Sequence, residues 1–338
     1  MPSPTMKDVA KNAGVSVATV SYVLNNGPRP VTEETRTHVL AVMKKLGYQP
    51  NASARRLRRQ HNHVLGVALA GLSTRPGISD LYFLDIISGI SIAANEHHYD
   101  LMVFSDHEKL GSAEFYQSMA AQHMIDGLIA AGSTINPEGI NIMNDAGTPA
   151  VLVGRQRSGP LVQRVVYSYA EDARWATQFF IQQGHRRVGL FLNLLSMVGE
   201  PERLMGYRAA LEANGLPFDP GLVSIAPHVT QHPSREEVAG LLHSAVPDAI
   251  ITAPYVEVCN FLDELKASPE LGVITLDEES HLPHLPRIVG AVRPAKYEAG
   301  QKAVEVIIAR IQGETETPEE TVLASKYVVY QVQPFPQV

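Results

Sequence analysis

A chain of 338 residues with 45% apolar and 19% charged residues is long enough to bury more than one core, which excludes fibrous and disordered classes. A single cysteine, Cys259, excludes an internal disulfide and a thiolate metal cluster within one chain. The thirteen histidines are scattered without partners at ligand spacing, so neither a metal nor another cofactor is expected.

No apolar run near residue 1 resembles a signal-peptide core, and no stretch approaches the roughly 20 residues needed to span a bilayer. A cytoplasmic protein with no membrane partner is the expectation. The net charge of −7 is unevenly divided: residues 1–60 hold ten bases against three acids, or +7. The remaining eighteen bases and thirty-two acids give −14. An acidic body with a basic head points to a polyanion met by the head alone.

Thr5 is placed to cap a helix with Asp8 in its first turn and Val9, Ala10 and Ala13 on one face, ended by Gly14. Ser16 caps a second helix with Val20, Val23 and Leu24 as its buried stripe, ending near Asn25. Two short helices joined by a glycine-containing turn form a helix-turn-helix unit. A third helix from Thr32 to Gly47 adds Val39, Met43 and Leu46 to a small core.

In such a unit the second helix enters the major groove, which turns Val17, Ala18, Ser21 and Tyr22 toward DNA. Val17 and Ala18 suit thymine methyl groups, and Tyr22 suits a base edge or stacking. Thr5, Ser16, Thr19, Ser21 and Asn25 are short polar groups suited to phosphates.

The run from Thr5 to Asn25 resembles the head of the lactose-repressor (LacI/GalR) family. Its pattern T-x-x-D-V-A-x-x-A-G-V-S-x-x-T-V-S-R-V-L-N is met everywhere except at Tyr22, which stands where the family has Arg. Tyr48, Pro50, Asn51, Ala54 and Leu57 match the family's hinge motif Y-x-P-N-x-x-A-R-x-L. The resemblance implies that Asn51, Ala54 and Arg55 contact DNA. Leu57 would be a wedge in the minor groove, with the hinge paired across a homodimer on a pseudo-palindromic double-stranded operator.

From Val64 the chain alternates strand-like and helical stretches. They are VLGVALAGL, a helix from Leu84 to His97, DLMVFS, a helix from Ala113 to Met124, GLIAAG and PAVLVGR. A second series has a helix from Glu171 to Gln183, RRVGLFL, a helix from Pro201 to Asn214, VSIAP, a helix from Arg235 to Ser244, DAIITA, a helix from Val256 to Lys266, and LGVITLD. This is the rhythm of parallel sheets covered by helices, repeated as two lobes around a cleft. YVVYQVQPFP alternates like an edge strand closing the second lobe. No phosphate loop, nucleophile elbow or paired-carboxylate pattern occurs, so no enzyme is expected.

The body is similar, more loosely, to the family's effector domain, related in turn to periplasmic sugar-binding proteins. GHRRVGLF, the R-L-x-G-Y run from Arg203 and EAGQKAVEVIIARIQG carry the likeness. The resemblance implies effector contacts from Arg203, Asp277, Tyr82 and Phe83, with ion pairing of Arg203 to Glu200 or Glu202, a cap at Asp277 and core packing of the two aromatics as the alternatives. Ser168 with Tyr169, and Pro254 with Tyr255, stand where the family has Asp-Asn and Asn-Asp.

The expected fold is a small all-α head plus a two-lobed, periplasmic-binding-protein-like α/β body. The head covers 1–49, a hinge 50–62 and the body 63–338. One lobe is drawn from about 63–166 and 295–324, the other from about 167–293 and 325–338. The expected function is transcription regulation, with repression the commoner family behaviour, under a small-molecule effector such as a sugar. The alternative is a solute-binding protein with no regulatory role.

Overall fold

The computed structural model describes residues 4–25, 31–48, 61–69, 81–105, 107–132, 135–155, 162–192, 199–225, 240, 243–253, 271–277, 288–314 and 318–330. The hinge residues Asn51, Ala54, Arg55 and Leu57 lie outside them, as do Pro254, Tyr255 and most of the helices expected at 235–244 and 256–266. The chain divides into two compact units, Met1–Asn62 and His63–Val338.

The first unit holds α1 (Met6–Ala13), α2 (Val17–Asn25) and α3 (Glu33–Leu46). Thr5 and Asp8 form a reciprocal capping box: the Asp8 N–H donates to Thr5 Oγ1 and the Thr5 N–H donates to Asp8 Oδ2 at 2.8 Å. The Thr19 N–H donates to Ser16 Oγ at 3.0 Å at the start of α2, and Thr32 caps α3. Gly14 and Gly47, both at φ 65°, end α1 and α3 in the left-handed region that glycine enters without strain. Val9, Ala10, Ala13, Val20, Val23, Val39 and Met43 form the core, edged by Leu24, Leu46 and Tyr48.

The second unit contains two six-stranded sheets. The first has the order β11-β5-β4-β3-β1-β2, with β1 Val64–Leu69, β2 Asp100–Phe104, β3 Gly127–Ala131, β4 Ala150–Val153, β5 Arg164–Tyr167 and β11 Glu320–Leu323. All its pairings are parallel. The second runs β12-β10-β9-β8-β6-β7, with β6 Val188–Leu192, β7 Val223–Ile225, β8 Ala249–Thr252, β9 Gly272–Thr275, β10 Ile288–Arg293 and β12 Lys326–Val329. Only β12 is antiparallel, paired with β10 at the sheet edge.

Parallel strands covered on both faces must be apolar at every position. In the first lobe Leu65, Val67, Leu69, Ile129 and Val151 face one core with α4 (Leu81–Glu96) and α10 (Lys296–Ile311). Val64, Ala68, Leu128, Ala130 and Leu152 face the other core, with Tyr116 and Met119 of α6 (Ala113–Gln122) and Ile140 and Met143 of α7 (Pro137–Asp145). A helical turn, α5 (His107–Leu110), precedes α6. The second lobe packs α8 (Tyr169–Gln182) and α9 (Glu200–Ala213) on its sheet through Ala173, Phe180, Tyr207 and Leu211. Trp175 stacks on Tyr327 of β12 at a 4.6 Å centroid distance.

Several elements differ from expectation. α7 is absent from the periodicity reading because Pro137, Gly139 and three asparagines look like a turn, yet Asn136 caps it and Pro137 sits in its first turn, where its missing N–H costs nothing. The sequence reading also passes over β5, β10, β11 and the helical turn α5. β11 is a four-residue edge strand, too short to show a period.

The chain passes between the lobes three times: from β5 into α8, from β10 into α10, and from β11 into β12. Within each lobe two helices touch backbone to backbone. A Cβ on Gly206 of α9 would lie 1.9 Å from the Ala170 carbonyl oxygen of α8, and one on Gly300 of α10 would lie 2.3 Å from the Ile86 carbonyl oxygen of α4. Gly206→Ala must push α8 and α9 apart and is expected to cost about 2–3 kcal/mol, as overpacked cores do. Urea unfolding of the full chain measures this, and an unshifted midpoint would refute the close approach.

Candidate functional site

Two groups of residues stand out, one in each unit. In the head, α2 carries no charged side chain along its length. Its N-terminal half is open to solvent: Val17 is 42% exposed, and Ala18 and Ser16 are exposed, while Thr19 and Tyr22 are half-buried. The Thr5, Ser16 and Thr19 hydroxyls already serve the caps, which orients them at the two helix starts. Ser21 departs from the expected outward set. It is 8% exposed beside Val20, because at this position the helix turns inward to the three-helix core. The Asn25 side chain lies outside the described residues.

In the body, five ionisable side chains meet where the lobes join. Arg203 sits in the first turn of α9 and is 4% exposed. Its Nη1 lies 2.7 Å from Glu200 Oε1, and its Nη2 lies 3.9 Å from Asp277 Oδ2, just beyond β9. Lys296, the first residue of α10 and 1% exposed, places Nζ 2.6 Å from Asp277 Oδ1. The Tyr169 ring lies under the Arg203 guanidinium, 5.0 Å from Cζ to centroid, an arrangement that stabilises a cation in a dry place. Gly199, at φ 96°, leaves room for that ring, since a Cβ there would come within 2.9 Å of it.

Burial opposes the charge on Arg203, but Glu200 and Asp277 more than offset it and hold the guanidinium proton above its ordinary range. Asp172 of α8 completes the group. It accepts from the Ser325 hydroxyl at 3.0 Å and from the Tyr327 hydroxyl at 3.2 Å, tying α8 to the third crossing. Burial pushes its carboxyl up to about 6 against the lowering pull of Ser325, Arg203 and Tyr327. A second bridge joins the lobes: Arg155, just after β4, reaches Glu202 of α9 at 2.9 Å and Glu320 of β11 at 3.3 Å.

Of the residues singled out in the body, Arg203 and Asp277 are thus brought together. Arg203 does pair with Glu200, but the pair is buried rather than on the surface, and Glu202 pairs elsewhere. Phe83 does not join them: at 3% exposure it packs with Leu65 and Ile86 in the core of the first lobe. Tyr82 begins α4, and its side chain lies outside the described residues.

The sequence reading misses Lys296 and Asp172, and weighs Glu200 only as an ion-pair partner of Arg203. The only signal for Lys296 and Asp172 in the sequence is a base two residues after Pro294 and an acid four residues after Ser168. Such patterns also describe solvated helix starts. Among the described residues no group of three or more His, Cys, Asp or Glu could hold a metal ion, and no helix is long and apolar enough to cross a membrane.

The raised carboxyl of Asp172 has a definite consequence for stability. The native state holds the proton more tightly than the unfolded chain, so its contribution is complete below about pH 4 and is lost as pH rises through about 6. Raising a carboxyl from its ordinary value to about 6 corresponds to roughly 2–3 kcal/mol. Asp172→Asn is expected to flatten that decline, as read from urea midpoints between pH 4 and 7. A wild-type slope surviving in the variant would assign the titration elsewhere.

Comparison with known proteins agrees with this architecture. Residues 5–51 match the family described as bacterial regulatory proteins, lacI family. Residues 62–254 match the periplasmic binding proteins and sugar binding domain of the LacI family. The chain is 29% identical to the HTH-type transcriptional regulator CelR of Thermobifida fusca, covering 96% of this chain and 97% of that protein. It is 27% identical to the HTH-type transcriptional repressor PurR of Pectobacterium atrosepticum, covering 92% of each.

Among solved structures, a transcriptional regulator CelR–cellobiose complex superposes with a TM-score of 0.66 at 25% identity, covering 98% of this chain and 100% of that one. The lac repressor dimer bound to operator and the anti-inducer ONPF does so with a TM-score of 0.75 at 20% identity, covering 97% and 98%. With both its head and more than half of its length matched, the chain belongs to the LacI family of bacterial regulatory proteins.

Proposed function

We propose that the chain is a homodimeric repressor of transcription that holds a pseudo-palindromic operator with its head and is controlled by a sugar or related metabolite bound between the lobes of its body. The observation that carries this reading is the union, in one chain, of a helix-turn-helix unit with an uncharged, open second helix and a two-lobed body with polar groups gathered at the lobe junction. The relative CelR, solved with cellobiose, supports a sugar as the effector class. Curated relatives are regulators, so the reading includes no catalysis, and it places the protein with its DNA in the cytoplasm.

In this reading Val17, Ala18 and Tyr22 meet base edges, while Thr5, Ser16, Thr19 and Asn25 meet phosphates. Ser21 supports the helix from within. The hinge, residues 50–62, adds Asn51, Ala54 and Arg55, with Leu57 as the minor-groove wedge. Arg203 and Asp277 hold the effector. Because they stand beside the lobe crossings, a ligand there biases the lobe arrangement, and linkage makes effector and operator change each other's affinity equally.

Selection from a random duplex library tests the head. The wild type is expected to enrich a pseudo-palindrome, and Tyr22→Arg to change the preferred bases within each half-site. Arg55→Ala is expected to weaken all sequences alike and to lower the salt dependence. An identical ranking for Tyr22→Arg would remove Tyr22 from the base edges. For the body, a ligand at about 100 times its Kd adds roughly 2.7 kcal/mol of stability, visible in a melting screen. That gain should vanish in Arg203→Ala.

A further inference from the structure

Resting on the sensor reading above, we infer that the lobe-junction site selects an uncharged ligand, and that Lys296 sets this selectivity. Arg203 and Lys296 supply two positive charges, and Glu200 and Asp277 supply two negative ones, all close together in a dry region. Buried charges are tolerated when they are matched, and an added ion must bring or find its own partner. A ligand carboxylate or phosphate finds no unmatched cation here. Asp172, whose charge acts on both Arg203 and Asp277, adds further negative potential.

The geometry of Arg203 narrows the chemistry further. A guanidinium binds a carboxylate or phosphate by offering two parallel N–H donors. In this chain Nη1 is turned to Glu200 and Nη2 to Asp277. Its Nε–H is buried and has no acceptor among the described residues. That buried Nε–H suits a neutral acceptor on the ligand, a hydroxyl, ring oxygen or carbonyl, whose absence would leave the N–H unsatisfied.

Lys296 answers the opposite possibility, a cationic ligand. Its ammonium occupies the position against Asp277 Oδ1 that a ligand amine would take. The side chain stands at the start of α10, where the helix dipole disfavours a cation and no side chain caps the helix. A buried lysine is held in that unfavourable field by the Asp277 carboxylate opposite. Removing the charge leaves Asp277 facing Arg203 alone at 3.9 Å and opens a place for an amino group.

The test is a binding series on the full-length protein, using matched sugars that differ only in charge: glucose and cellobiose, glucuronate, glucose 6-phosphate and glucosamine, with the galactose and xylose series alongside. The wild type is expected to bind a neutral member at least about tenfold more tightly than its acid, phosphate or amine counterpart, since each of these buries an unmatched charge. Lys296→Met is expected to weaken the neutral sugar and bring the amino sugar to equal or better affinity. Lys296→Arg, which keeps the charge, preserves the wild-type order and serves as the reference should the methionine variant fold poorly.

Tighter binding of an acid or phosphate by the wild type would overturn the inference while leaving the sensor reading intact. So would a reversed order in Lys296→Arg, or an unchanged one in a folded Lys296→Met. Silence from every member of every series, with operator affinity equally indifferent, would instead remove the sensor reading and the inference with it.

Discussion

Five ionisable side chains buried at the lobe junction set the terms for the rest of the body. Removing two cations and three carboxylates from water is costly, and the cost is offset only while each group faces its partner at the right distance. Arg203 and Asp172 come from helices of the second lobe, Asp277 from a strand end, and Lys296 from the helix that returns to the first lobe. Apart from Glu200, which shares α9 with Arg203, each partner arrives on a different element, and the pairing holds the lobe crossings in one arrangement. A charged cluster placed where the lobes join makes their relative position sensitive to anything that enters it.

The apolar framework makes such a cluster tolerable. Each lobe is close-packed on both faces of its sheet, and glycines at positions 89, 206 and 300 let helices approach backbone to backbone. Rigid lobes leave the three crossings and their polar ties as the places where the body can change shape. Asp172 ties α8 to the third crossing through Ser325 and Tyr327. Arg155 bridges Glu202 and Glu320 across the lobes. Because Glu202 and Arg203 are neighbours on α9, a shift at the cluster reaches the interlobe bridge through one turn of helix.

Much of this was legible in the chain because it rests on local rules. The caps at Thr5, Ser16 and Thr32 and the left-handed stops at Gly14 and Gly47 depend only on their immediate neighbours, and the structure forms each of them. Continuous apolar runs such as VLGVAL announce strands buried on both faces. What stayed hidden depends on tertiary contacts. Ser21 reads as an exposed polar residue, yet the folded head buries it. Phe83 reads as readily as a pocket wall as it does core. Lys296 looks like an ordinary helix-start charge and Glu200 like one half of a solvated pair with Arg203, since nothing local says that Asp277 will join them in a dry interior.

The interleaving of the lobes also bears on how the protein is made. The first sheet receives its edge strand from residues 320–323, and its core receives α10 from 296–311. The second sheet is completed by β12 at 326–329. The contacts of β11 with β5, and those that β12 and its approach make with α8, thus join residues more than a hundred positions apart, and closing such loops is slow and comes late. During synthesis the three-helix head has all of its core residues by Met43 and is free to fold at once. The body must wait as an incomplete, partly exposed sheet until nearly the whole chain has emerged. A ribosome stalled anywhere between the end of α3 and β11 would therefore hold a chain with the whole of its three-helix head but with neither lobe finished.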